Sequence, residues 1–134
     1  MACYMVDFHG VIDVNPDFFR SFMENLVQTG NKVIICSGAR MSELNEKLPD
    51  FGLIEGVHYN EKISVTDYLE SILPETEIEY DLNNNIWVDE VIWWSTKGKF
   101  CRKYHVDVII DDSEFYLVYV KPPTLKMLFK PAGK

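Results

Sequence analysis

The stretch Cys3–Asp13, reading CYMVDFHGVID, constrains this chain more than any other. A short apolar run, Cys3 to Val6, stops at an acid, Asp7; Phe8, His9 and Gly10 follow, and a second acid closes the stretch at Asp13. Continuous apolar runs of this kind suit strands buried on both faces, as parallel sheets require. In open α/β sheets, ligands bind beyond the carboxyl ends of the strands. An acid and a glycine at such an end are placed for chemistry if other strands bring partners to meet them.

The rest of the chain supplies such strands. Asn15 and Pro16 make a helix start, a capping side chain followed by proline at the first helical position. Phe18, Phe19, Phe22, Met23, Leu26 and Val27 recur at helical spacing, and Gly30 follows as a cap. Lys32–Cys36 reads as a second buried strand, ending in Ser37, Gly38, Ala39 and Arg40. Met41, Leu44 and Leu48 predict a helix that closes at Pro49, and residues 50–64 read as loop. Thr66–Leu73 predicts a short amphipathic helix. Glu77–Asp81 and Ile86–Val88, joined by three asparagines, predict a β-hairpin.

Val91–Trp94 reads as a further strand, leading into Ser95, Thr96, Lys97 and Gly98, with Lys97 or Lys99 opening a short helix to about Tyr104. Val106–Ile110 predicts a strand that ends in the pair Asp111 and Asp112. Phe115–Val120 has strand propensity in a position that suits a short helix, and Leu125–Phe129 predicts a last strand. The expected architecture is one α/β domain over residues 1–134, doubly wound and Rossmann-like. It has a mainly parallel central sheet, helices on both faces and a small hairpin insertion.

Composition narrows the function classes. An apolar fraction of 47% with 13% aromatics argues for a packed core, and no apolar run is long enough to cross a membrane. The N-terminus lacks a basic region before its apolar residues, so a cytoplasmic protein is expected. The net charge of -8 disfavours long nucleic acid and anionic membranes as partners. Cys3, Cys36 and Cys101 are odd in number and none lie at CxxC spacing, which suggests neither a disulfide framework nor a zinc site.

Strand ends at Asp7, at Ser37 and at Asp111 and Asp112, with a lysine shortly before the last, would meet on one edge of a parallel sheet. Converging carboxylates repel each other, and Mg²⁺, which favours oxygen ligands, relieves that repulsion. A hydroxyl and an ammonium beside them are donors for phosphoryl oxygens. Asp7 is then placed to attack phosphorus, with Ser37 and Lys97 holding the transferring group and His9 moving protons.

The pattern resembles the haloacid dehalogenase-like (HAD) hydrolase superfamily. The first motif of that family is matched by Asp7-Phe8-His9-Gly10, the second by Ser37 after VIIC, the third by Lys97 with Lys99 as competitor, and the fourth by Asp111 and Asp112 after VII. The resemblance covers nearly the whole chain. It implies a Mg²⁺-dependent phosphomonoesterase working through an aspartyl phosphate on Asp7, acting on a small phosphorylated metabolite or nucleotide. The implied metal site is Asp7, the His9 backbone carbonyl, and Asp111 or Asp112. Gly38 and Arg40 are expected near the substrate phosphate, with a surface arginine as the other reading of Arg40.

The chain departs from the family at His9, where the phosphatases carry a second aspartate as acid/base. A histidine titrates near neutrality and can take that role. It also fits a catalytically silent binding module, and phosphotransfer to an acceptor other than water is a third reading. The gaps between motifs leave room for no cap larger than the hairpin around Glu77–Val88, so the site is expected to be open. Asp13 reads as a turn residue, His58 and His105 as surface or satisfied histidines, and Trp87, Trp93 and Trp94 as packing residues rather than base-stacking ones.

Overall fold

A computed structural model describes residues 1–130. In chain order the elements begin with β1 (Cys3–Val6), α1 (Pro16–Gln28), β2 (Lys32–Ser37), α2 (Met41–Asp50), β3 (Glu61–Ser64) and α3 (Val65–Ile72). A two-stranded hairpin, β4 (Glu79–Tyr80) and β5 (Ile86–Trp87), comes next. The chain then forms α4 (Glu90–Lys103), β6 (Val108–Asp111), α5 (Glu114–Leu117) and β7 (Leu125–Leu128).

β1, β2, β3, β6 and β7 form one sheet in the order β3-β2-β1-β6-β7, with every pairing parallel. β1 lies in the middle, so its carboxyl end is flanked on both sides. Alternating side chains divide between two cores. Val6, Val33, Ile35 and Ile110 face α1 and α2, meeting Phe19, Met23, Leu44 and Leu48. Met5, Ile34, Cys36 and Ile109 face the other layer, with Val65 and Leu69 of α3, Phe100 and Cys101 of α4 and Leu117 of α5. The molecule is thus α/β and doubly wound, with helices on both faces of a parallel sheet. Among the described residues no helix is long and apolar enough to cross a membrane.

Three expectations are corrected. Residues 50–64 are not all loop, because Glu61–Ser64 forms β3 at the edge of the sheet. Its sequence, EKIS, carries one aliphatic residue, and an edge strand needs no more. Val91–Trp94 is not a strand. It is the first part of α4, started by Asp89, whose carboxylate accepts from the Val91 and Ile92 amides. A good cap and tertiary packing here overrule the strand propensity of Val-Ile-Trp-Trp. Lys97 and Lys99 consequently lie well inside a helix of fourteen residues rather than at the start of a short one. The ambiguous segment after β6 begins with the short helix α5.

The loop after β1 is a wide helical turn over Phe8–Ile12, broken at His9 and at Gly10, whose φ of +84° lies in the left-handed region. Phe8, Val11 and Ile12 are fully buried in the core, whereas His9 points to solvent.

Candidate functional site

Asp7 directly follows β1, and its amide still donates to Ile110 of β6 at 3.0 Å, so the sheet holds it at the level of Asp111. Its Oδ1 accepts from the Phe8 amide at 2.8 Å, while Oδ2 takes no hydrogen bond from the described residues. Lys97 reaches the same point from α4. Its Nζ lies 2.6 Å from Asp111 Oδ2 and 3.3 Å from Asp7 Oδ1, and 4.1 Å from the centre of the Tyr116 ring. Lys97 is 1% exposed, the strongest burial of a charged side chain in this region along with Asp111. Lys99, two residues on, faces solvent.

Asp111 is fully committed: Oδ2 to Lys97, and Oδ1 to the Ser113 amide at 3.0 Å. Asp112 is half-buried and its carboxylate accepts no hydrogen bond from the described residues. It packs directly against Gly10, where any β-carbon would overlap it. Gly10 is therefore required twice, for its backbone conformation and for the room it gives Asp112. Asp7, Asp111 and Asp112 each offer a carboxylate oxygen, all within 4.8 Å of one another.

The electrostatics follow from burial. Desolvation pushes the Asp7 carboxyl up to about 7; Lys97 opposes the shift, and the charges of Asp111 and Asp112 add to it. Desolvation also works against the Lys97 ammonium, but Asp7 and Asp111 more than offset it and hold the ammonium charged. One cation thus faces three carboxylates. The set is short of positive charge, presents hard oxygen donors and keeps one Asp7 oxygen and the Asp112 carboxylate free, which fits a divalent ion such as Mg²⁺.

Ser37 ends β2 on the same edge of the sheet. It is buried, and its Oγ accepts from the Ala39 amide at 3.1 Å, which leaves the hydroxyl hydrogen to donate elsewhere. Gly38 follows, its carbonyl accepting from Thr66 Oγ1 at 2.6 Å. A β-carbon on Gly38 would come within 3.0 Å of the Trp93 ring, so the glycine lets the start of α4 close over the end of β2.

His9 stands apart from the buried group. Its Nδ1 lies 3.0 Å from Asp13 Oδ2 and its Nε2 2.6 Å from Glu43 Oε2. Partial burial disfavours the imidazolium, but hydrogen bonds to Asp13 and Glu43 and their charges outweigh it and raise the pKa above its ordinary value. Arg40 donates to both Glu70 oxygens, at 2.6 and 3.3 Å, and to the Asn84 carbonyl at 2.7 Å. Its guanidinium ties α3 to the hairpin turn and sits at the rim rather than among the carboxylates. His9, Gly38 and Arg40 line an open cleft of about 640 Å³, bounded by the start of α2, the hairpin and Trp93.

The structure brings Asp7, Lys97, Asp111 and Asp112 together, sets Ser37 and Gly38 beside the cleft, and leaves Lys99 outside. His58 is buried and satisfied, its Nδ1 accepting from the Ile54 amide at 3.0 Å, while His105 is exposed. Asp13 is a turn residue that also accepts from the Gly10 amide at 2.7 Å. Sequence reading missed Glu43 and Tyr116. Glu43 lies on the polar side of α2, where nothing marks it as the partner of a residue 34 positions earlier. Tyr116 lies in the segment whose secondary structure was ambiguous. Its ring, pressed on the Lys97 ammonium, could not be foreseen without knowing that segment to be helical. Searches against family models, curated proteins and solved structures return no match, so the case for a function rests on the geometry of this edge.

Proposed function

We propose that the protein is a Mg²⁺-dependent phosphomonoester hydrolase of the HAD-like type, working through an aspartyl phosphate on Asp7. The observation that carries the reading is the convergence of Asp7, Lys97, Asp111 and Asp112 at the carboxyl edge of one parallel sheet. Mg²⁺, held by Asp7 and Asp112 with Asp111 close by and the His9 carbonyl as the further ligand that the family resemblance implies, would neutralise charge on the nucleophile and on the phosphoryl oxygens.

Each residue has a task its position suits. The Phe8 amide and Lys97 orient Asp7 through Oδ1, leaving Oδ2 to attack phosphorus as the bond to the leaving oxygen breaks. Lys97 also carries positive charge to the transferring phosphoryl group, and the Ser37 hydroxyl donates to one of its oxygens. Asp111 acts on Lys97, fixing its ammonium, and does not touch the substrate. The leaving oxygen takes a proton from the solvent side, where His9 lines the cleft. Water then breaks the bond between phosphorus and Asp7, releasing inorganic phosphate and restoring the carboxylate. The substrate is a small phosphomonoester, admitted by the open cleft.

A second reading draws on one observation: both His9 nitrogens are already engaged by carboxylates. A chain in which His9 serves only as a tie would be a binding module with little turnover. Phosphate release from an aryl phosphate, with and without Mg²⁺, tests the proposal, with Asp7→Asn as control. Metal-dependent turnover that the variant lacks supports it. Absence of turnover, together with no effect of Mg²⁺ on the melting temperature, overturns it. His9→Asp separates the two readings, because a large gain in turnover identifies a chain that has drifted from catalysis and a loss identifies His9 as an adapted acid/base.

A further inference from the structure

The cleft beside the carboxylates differs in character from them. Its basic lining residues are His9 and Arg40, and both are spent: His9 on Asp13 and Glu43, Arg40 on Glu70. Glu46 adds negative charge to the same lining. A second phosphate on a ligand would therefore meet repulsion with no unpaired cation to offset it. The cleft suits a monophosphate whose remaining part is neutral or poor in negative charge.

The other lining is aromatic and amide. Trp93 enters from α4 at Gly38, next to the end of β2, so an aromatic face begins where the phosphoryl site ends. Trp87 enters from β5 and is 63% exposed. The hairpin turn adds Asn83 and Asn85. Asp81 fixes that turn, accepting from the Asn83 and Asn85 amides at 2.8 and 2.9 Å, which leaves the Asn83 side chain without a partner among the described residues. A flat ring is matched by indole faces, and its donor and acceptor edge is matched by a carboxamide that supplies both. At about 640 Å³ the cleft has the size of a small-molecule site.

We propose that the ligand of this cleft is a nucleoside monophosphate, its base lying on Trp93 and Trp87 and its edge read by Asn83. The identification of the reacting end rests on the phosphatase reading above, whereas the base site stands on the cleft itself.

The test is a calorimetric titration of the Asp7→Asn protein, in millimolar Mg²⁺, with AMP and separately with ribose 5-phosphate. Base stacking predicts that AMP binds at least about ten-fold more tightly. Trp87→Ala and Asn83→Ala, both at exposed positions, shrink that ratio without lowering the melting temperature. Equal affinity for the two ligands, or binding of neither, overturns the proposal. So does a ratio unchanged in both variants. Phosphate release by the wild type from an aryl phosphate is scored separately. Turnover without a preference for AMP sinks the base site and spares the hydrolase, and a preference for AMP without turnover does the reverse.

Discussion

Lys97 and His9 are each clamped between two carboxylates, at 2.6 and 3.3 Å for the lysine and at 2.6 and 3.0 Å for the histidine. The contacts are alike and the surroundings are not. Lys97 is buried under Tyr116, while the His9 side chain is 44% exposed at the mouth of the cleft. In a poorly hydrated pocket every charge depends on the others, and removing one leaves its partners uncompensated. At the surface, water and salt take over whatever is removed. The same arrangement is thus a fixed part of the fold in one place and an adjustable surface feature in the other.

The largest break in that comparison is expected from Lys97→Met. It leaves Asp7 and Asp111 buried without their cation and should cost about 3–5 kcal/mol in urea unfolding. Millimolar Mg²⁺ should recover part of the loss. A cost below about 1 kcal/mol would mean that the carboxylates already share protons or water in place of the lysine.

Gly10→Ala comes next, because Gly10 joins the two clusters. Its amide donates to Asp13 and its missing side chain leaves room for Asp112. Strain at its positive φ together with displacement of Asp112 should cost about 1–3 kcal/mol. The response of the melting temperature to Mg²⁺ should fall with it, and an unchanged response would remove Asp112 from the proposed metal site.

Asp7→Asn has the opposite sign. Burial lifts the Asp7 pKa to about 7, so the folded protein keeps a proton that the unfolded chain has released. The contribution of Asp7 to stability is therefore present below the ordinary carboxylate range and is lost as the pH climbs to about 7. The variant should be more stable than the wild type at pH 8, by about 1–2 kcal/mol, and the difference should vanish at around pH 4. Urea midpoints across pH measure it, and a variant less stable at pH 8 would show that the Lys97 contact outweighs desolvation.

The smallest effect belongs to the exposed clamp. Glu43→Gln should cost about 0.5 kcal/mol or less, and less again in high salt. The His9 pKa is raised in the folded state, so the contribution of this tie is present at pH 6 and lost as the pH rises past the ordinary histidine value. A salt-independent cost above about 2 kcal/mol would place His9 with Lys97 and erase the contrast.

The sequence made the buried cluster far more legible than the exposed one. Asp7, Ser37, Asp111 and Asp112 each end an apolar run, and parallel pairing places such ends on one edge. Lys97 could not be told from Lys99 while Val91–Trp94 read as a strand. Once Asp89 caps a helix there, the helical turn settles which lysine faces the sheet. β3 escaped notice because an edge strand carries little of the apolar signal that marks a central one. The His9–Glu43 tie joins a loop to a helix face and has no periodicity to reveal it. Residues fixed by strand pairing could be read; those fixed by side chains crossing between elements could not.

The turn after β1 has an evolutionary consequence. Phe8, Val11 and Ile12 anchor it in the core, while the side chain of His9, two residues after Asp7, reaches outward to Asp13 and Glu43 and rests edge-on against Phe8, with 4.9 Å between ring centroids. The His9 side chain makes no hydrogen bond to Asp7. Substitutions there remove none of the contacts that mount Asp7, namely the Phe8 amide, Lys97 and the pairing with Ile110, so position 9 is open to change without loss of the fold.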